Sequence, residues 1–121
     1  MEPGPPERHA VGMDIAHLPT LAEELLATAR TATSGRAGRS IRSGRDLSLR
    51  QTVLALTEGN GIDKHEANGE ATLHVLSGRI RLRWGSEAVE VGAGEVVDVP
   101  KARHAVDALT DATVLLTVAM R

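Results

Sequence analysis

The sequence predicts an all-β domain, an antiparallel β-barrel of jelly-roll type with one N-terminal α-helix, and three observations carry that prediction. From residue 47 onward, apolar and polar residues alternate with period two in short runs, the pattern of half-buried strands. The runs are cut by turn signals, among them Gly59-Asn60-Gly61, Asn68-Gly69, Ser77-Gly78, Gly85-Ser86 and Gly92-Ala93-Gly94. One convincing stretch of helical periodicity stands ahead of them all. Short antiparallel strands at such close spacing share a core as a sandwich or barrel, and 121 residues suffice for one such core. The expected organisation is a flexible tail over 1–17 and a single domain over 18–121, with the helix at about 20–33 and the barrel at about 39–120.

The helix rests on Leu18 to Ala32, where Leu18, Leu21, Leu25 and Ala29 fall on one stripe with Leu26 at its border. Thr20 and Glu23 have the spacing of a capping box, Glu23 and Glu24 would then sit in the first turn and Arg30 near the last, and Ser34-Gly35 stops it. Such a helix is an amphipathic flap on an apolar surface. An Arg/Gly/Ser linker at 34–46 follows, with a weak strand at 39–42. A stronger strand runs from Leu47 to Thr57, with Leu49, Gln51, Val53 and Ala55 on one side and Arg50, Thr52, Leu54 and Leu56 on the other. Further strands are expected at about 62–66, 70–77, 79–84, 87–91, 95–99, 104–109 and 112–120. Arg79-Ile80-Arg81-Leu82-Arg83-Trp84 alternates completely, so one face is wet and the other buried. The last strand, Val114 to Met120, is apolar on both faces. One face fills the barrel, and the other needs the helix or a second subunit, from which a homodimer is expected.

Composition excludes several kinds of function. No apolar run approaches the ~20 residues that span a bilayer, and Met1 to Gly12 lacks the apolar stretch of a secretory signal, so a cytoplasmic protein without a membrane partner is expected. Absence of cysteine removes disulfides and thiol catalysis and leaves His, Asp and Glu as metal ligands. Net charge is −2 and Trp84 is the sole aromatic residue, a poor basis for nucleic-acid binding, which needs basic surface and stacking faces. Arg36, Arg39, Arg42 and Arg45, and again Arg79, Arg81 and Arg83, read as solvated faces. Asp107 and Asp111 flank a hairpin turn at Leu109-Thr110.

The spacing Gly59-x5-His65-x-Ala67-x3-Ala71-x6-Gly78 resembles the first motif of the cupin family, and Gly94-x5-Pro100-x3-His104 the second. The resemblance covers about residues 47–118 and is similar in particular to small single-domain bacterial cupins with an incomplete metal motif. It implies a cupin-type barrel. Metal-binding members place two histidines, a glutamate and the second-motif histidine around a divalent ion with open positions. Only His65 and His104 carry over to this chain. Ala67, Ala71 and Ala108 stand where the second histidine, the glutamate and an asparagine would be, and Ala102 replaces a glycine. Glu70 is one position from the glutamate and rescues the site only through a bulge; His74 is an odd number of positions from Ala71 and points outward on a regular strand.

Two histidines make at most a weak site for a divalent transition metal, so no resident cofactor is expected. They can instead serve as polar anchors of a barrel-mouth pocket lined by Val53, Ala67, Ala71, Leu73, Val75, Leu82, Trp84 and Val106, suited to a small apolar or weakly polar ligand. Three functions stay open: a small-molecule-binding or sensing cupin with a degenerate metal site, a metal-dependent oxygenase or isomerase, and a non-catalytic dimeric interaction module. Ligand count favours the first.

Overall fold

In a computed structural model that describes residues 9–10, 13–65 and 69–120, a two-residue ribbon, β1 (His9–Ala10) and β2 (Met13–Asp14), precedes the helix α1 (Leu18–Thr31). Nine strands follow: β3 (Arg36–Arg42), β4 (Leu49–Leu56), β5 (Gly61–His65), β6 (Glu70–Ser77), β7 (Arg79–Trp84), β8 (Glu87–Gly92), β9 (Val96–Asp98), β10 (His104–Ala108) and β11 (Ala112–Ala119). They form a five-stranded antiparallel sheet in the order β3-β4-β11-β6-β9 and a four-stranded one in the order β5-β10-β7-β8. The jelly-roll expectation holds. Among the described residues, though, the strands do not hydrogen-bond into a closed ring: the barrel is two sheets face to face.

Period two explains which side of each strand meets the other sheet. On β6, Ala71, Leu73 and Val75 are buried between the sheets with Leu56, Ile80, Leu82, Val106 and Val114, while the alternate residue Leu76 packs toward the helix. β4 divides likewise, with Leu54 and Leu56 between the sheets and Val53 and Ala55 beneath α1. The outer face of the four-stranded sheet is wet, as the alternation on β7 predicts. Its arginines are matched by acids: Arg79 and Arg81 each lie 3.3 Å from Glu90, and Arg83 makes a two-point contact with Asp107, 3.1 Å at Nη2. Hydrogen bonds from Arg81 and Arg79 hold the Glu90 carboxyl below the usual carboxylate range.

α1 covers β3, β4 and β11 through Leu21, Leu25 and Ala29, with Leu115 of β11 packed against the same cluster. The second apolar face of β11 is thus met by the helix at Leu115. The helix start differs from the capping box. Helical residues begin at Leu18 with Pro19 in the first turn, where a missing N–H costs nothing, and His17 is the N-cap: its Nδ1 accepts from the Thr20 backbone N–H at 3.4 Å and lies 2.7 Å from Thr20 Oγ1. Glu23 and Glu24 therefore fall after the first turn. Helix residues end at Thr31, two residues short of the expectation.

Half of the 34–46 linker is strand. β3 starts at Arg36 and pairs with β4 along its length, with a register shift between Ser40 and Arg42, and Gly38 is tolerated at a sheet edge, where an added Cβ would press only on the end of the Leu54 side chain, at 2.8 Å. Arg36 Nη1 donates to the Gly61 carbonyl at 2.7 Å, tying this edge to β5 across a cleft of about 500 Å³ that Leu54, Leu56 and Ile62 share.

Chain direction gives the sandwich two unlike ends. At one end the chain crosses between sheets four times, through residues 57–60, Gly78, 93–95 and 109–111. These corners are bonded to one another: Gly59 N–H to Ala108 O at 3.0 Å, Ala108 N–H to Asn60 O at 2.9 Å and Leu109 N–H to Arg79 O at 3.0 Å. Asp111 joins them to the helix, accepting from the Glu58 N–H at 2.9 Å and from Arg30 Nη2 at 3.1 Å. Those two donors, the Glu58 amide first, lower the Asp111 carboxyl below its ordinary value. Gly78 turns this end with φ +76°, and a Cβ there would stand 2.0 Å from the Asp111 carbonyl oxygen. From the corners β4, β5, β6, β7, β10 and β11 all extend toward the opposite end, which is the one that holds the motif histidines.

Candidate functional site

β10 is the middle of the three strands that build the site, and its pairing brings the sequence candidates together. His104 is directly opposite His65 on β5 and directly opposite Trp84 on β7. Two motifs 39 positions apart by the numbering, His65 and His104, thus meet as cross-strand neighbours. The β5–β10 register shifts between His104 and Val106, so that Ile62 is opposite Val106 while His65, three residues on, is opposite His104 two residues back. That irregularity carries the extra residue of a bulge, a device that resets which positions of a strand face a site.

His104 is 3% exposed and its Nδ1 lies 2.9 Å from the Ala102 carbonyl oxygen. A carbonyl only accepts, so Nδ1 carries the proton of this bond, and in the neutral ring the lone pair belongs to Nε2. The backbone between Pro100 and β10 therefore sets both the tautomer and the tilt of the ring. Trp84 packs beside it against the inter-sheet core. On the facing sheet Ala71, Leu73, Val75 and, across on β7 and β10, Leu82 and Val106 are buried in that same core. Ala67 lies outside the described residues. Val53 is corrected: it is fully buried, but on the helix side of β4, because α1 lands on the Val53 and Ala55 face.

Glu70 and His74 behave as a regular strand requires. β6 pairs with β11 without a shift from Val75 to Glu70, Ala71 faces the other sheet, and Glu70 is exposed on the far side. No bulge brings its carboxylate inward. His74 shares the outward face with Leu76. Asp107 and Asp111 are spent on Arg83 and Arg30.

No protein-family model matches the chain, and comparison with curated proteins finds no match. Solved structures do match. A conserved protein of unknown function from Streptococcus pyogenes is similar at 25% identity and TM-score 0.67, over 74% of this chain and 78% of that one. An RmlC-like cupin from Desulfovibrio desulfuricans is similar at 24% identity and TM-score 0.61, over 69% and 81%, and a cupin superfamily protein from Desulfitobacterium hafniense at 14% and 0.61, over 70% and 79%. The fold is that of the cupin superfamily. The likeness covers about 70% of the chain and leaves the chemistry to the residues present.

At the position where the motif resemblance implies a glutamate ligand, Ala71 puts a methyl group, 8% exposed and surrounded by apolar side chains. Among the described residues no group of three His, Cys, Asp or Glu can hold a metal ion. Among the described residues the donor set does not fit the usual cupin metal. No helix among the described residues is long and apolar enough to cross a membrane.

Sequence reasoning passed over one residue of this end. Arg50 pairs with Val118, and Val118 with Ala71; Val118 packs against the inter-sheet core, so Arg50 is on the inward face of β4. The alternation had grouped it with Leu54 and Leu56. Its charge among inward leucines was the available signal.

Proposed function

We propose that this cupin is a small-molecule-binding protein whose pocket opens at the end of the sandwich away from the chain corners, with His65 and His104 as polar anchors and Trp84, Ala71, Leu73 and Val106 as walls. The observation that carries the reading is the cross-strand row of positions His65, His104 and Trp84: residue types able to bond or stack on a ligand, set opposite one another at the end of the sandwich away from the four corners. Ala71 presents only a methyl group on the facing sheet. Mouths of β-barrels are recurrent ligand sites for this reason, having an apolar wall and few polar groups of fixed direction.

Trp84, the sole aromatic residue, makes the test direct. Titration with straight-chain alcohols and acids is followed by its fluorescence. Saturable change in the wild type and its loss in His104→Ala support the reading. An unaltered Trp84 signal across both series overturns it.

A further inference from the structure

Arg50 gives the proposed pocket a charge preference. We infer that the ligand carries an anionic group, a carboxylate, and that Arg50 receives it. The inference rests on the pocket reading above and changes its ligand from a weakly polar molecule to a small monocarboxylate.

The placement follows from the strands. β4 and β11 pair without a shift from Leu56 and Ala112 to Leu49 and Ala119. Positions 50, 52, 54 and 56 therefore share one face, and Leu54 and Leu56 show that it faces the second sheet. Because the chain corners lie beyond Leu56, Arg50 stands at the far end of this face, in a row with Val118 and Ala71. That is the end to which β5 and β10 carry His65 and His104. One sheet thus brings the Arg50 guanidinium, and the other the strand positions of His65 and His104, to the same opening.

The partners of Arg50 are too few for a charged group. Its Nη2 donates to the Gly44 carbonyl at 3.0 Å, while Nε is buried with no hydrogen-bond partner. Among the described residues it makes no ion pair. Burying the Nε–H of a guanidinium without an acceptor is unfavourable, and other strand arginines are better met: Arg36, at the opposite end of the same face, donates to the Gly61 carbonyl, and the outward arginines of β7 have Glu90 and Asp107. A planar carboxylate, accepting two parallel N–H bonds, is the chemistry that completes a guanidinium. The rest of the lining, Ala71, Leu73, Val106 and Trp84, suits an apolar tail.

The test compares straight-chain monocarboxylates from acetate to octanoate with the alcohols of matching length, by Trp84 fluorescence and by the NMR shift of the Arg50 Nε–H. The wild type should bind the best acid at least ten-fold more tightly than its alcohol and shift the Arg50 resonance on binding. Arg50→Gln, checked for an intact fold by its thermal melt, should bring the acid to the affinity of the alcohol. Equal affinity for acid and alcohol in the wild type, or an Arg50 resonance unmoved by a bound acid, overturns the inference and leaves the pocket standing. If neither series binds, the pocket reading falls and the inference with it.

Discussion

The two ends of this sandwich are built on opposite terms. At the cornered end the chain passes between sheets four times, the backbone groups of the corners satisfy one another, and the side chains that project inward, Ile80, Val75, Leu56 and Val114, are at most 1% exposed. At the open end the inward positions are His104, Trp84, Arg50 and Ala71: polar, aromatic, cationic or small. The first end is organised to be stable. The second spends some of that stability on groups that are poorly placed for packing, and such exchanges mark sites where a chain does something besides fold. The difference says where to look for function even when no single motif is complete.

Breaking the inter-sheet core that both ends share should produce the largest effect. Leu82 is fully buried between the sheets, so Leu82→Ala should cost about 2–5 kcal/mol of unfolding free energy, read by urea denaturation. A loss below about 1 kcal/mol would mean that the inter-sheet core is not packed as described. Next in size is Gly78→Ala. The residue has φ +76° and faces the Asp111 carbonyl, so the strain alone should cost about 1–3 kcal/mol, and relief of the clash must move a corner. A thermal melt identical to wild type would argue against that turn.

At the open end the sign should change. Arg50→Met removes a guanidinium with an unsatisfied buried Nε and keeps the apolar stem, so its melting temperature should equal or exceed that of the wild type, while its response to carboxylates is lost. If it destabilises as much as Leu82→Ala does, Arg50 is a structural residue and the contrast between the ends dissolves.

The smallest effect concerns pH and the corner hub. Asp111 has its carboxyl lowered by the Glu58 amide and by Arg30. A carboxyl held low in the folded state contributes stability that is present above its unfolded value and lost as pH falls through the folded one. Replacement of Asp111 by Asn should therefore lower stability at neutral pH and flatten the decline in acid. Parallel decline of the two proteins between pH 5 and pH 2 would remove Asp111 from the account.

Much of this contrast was readable in the residues. Period two located β6, β7, β10 and β11 to within a residue or so, because half-buried strands must alternate, and the glycine and histidine spacings pointed to the right fold. The helix was legible from Leu21, Leu25 and Ala29, but its cap was not: an imidazole lone pair on His17 performs a task that Ser, Thr, Asp and Asn usually perform. β3 was half hidden because an edge strand tolerates Gly and Arg that a central strand would not. Arg50 and Val53 posed a different difficulty. Alternation put them on opposite faces of β4, yet only the landing place of α1 decides which face meets the second sheet.

The central claim is that the open end receives a ligand, and residue-resolved NMR tests it most directly. On addition of the tightest carboxylate of the series, backbone shifts should concentrate at residues 50, 71–73, 84 and 104–106 and leave the cornered residues Gly78 and Asp111 unmoved. Shifts centred instead on the apolar groove between α1 and β6, at Leu18, Leu26 and Leu76, or spread evenly over both ends, would contradict it.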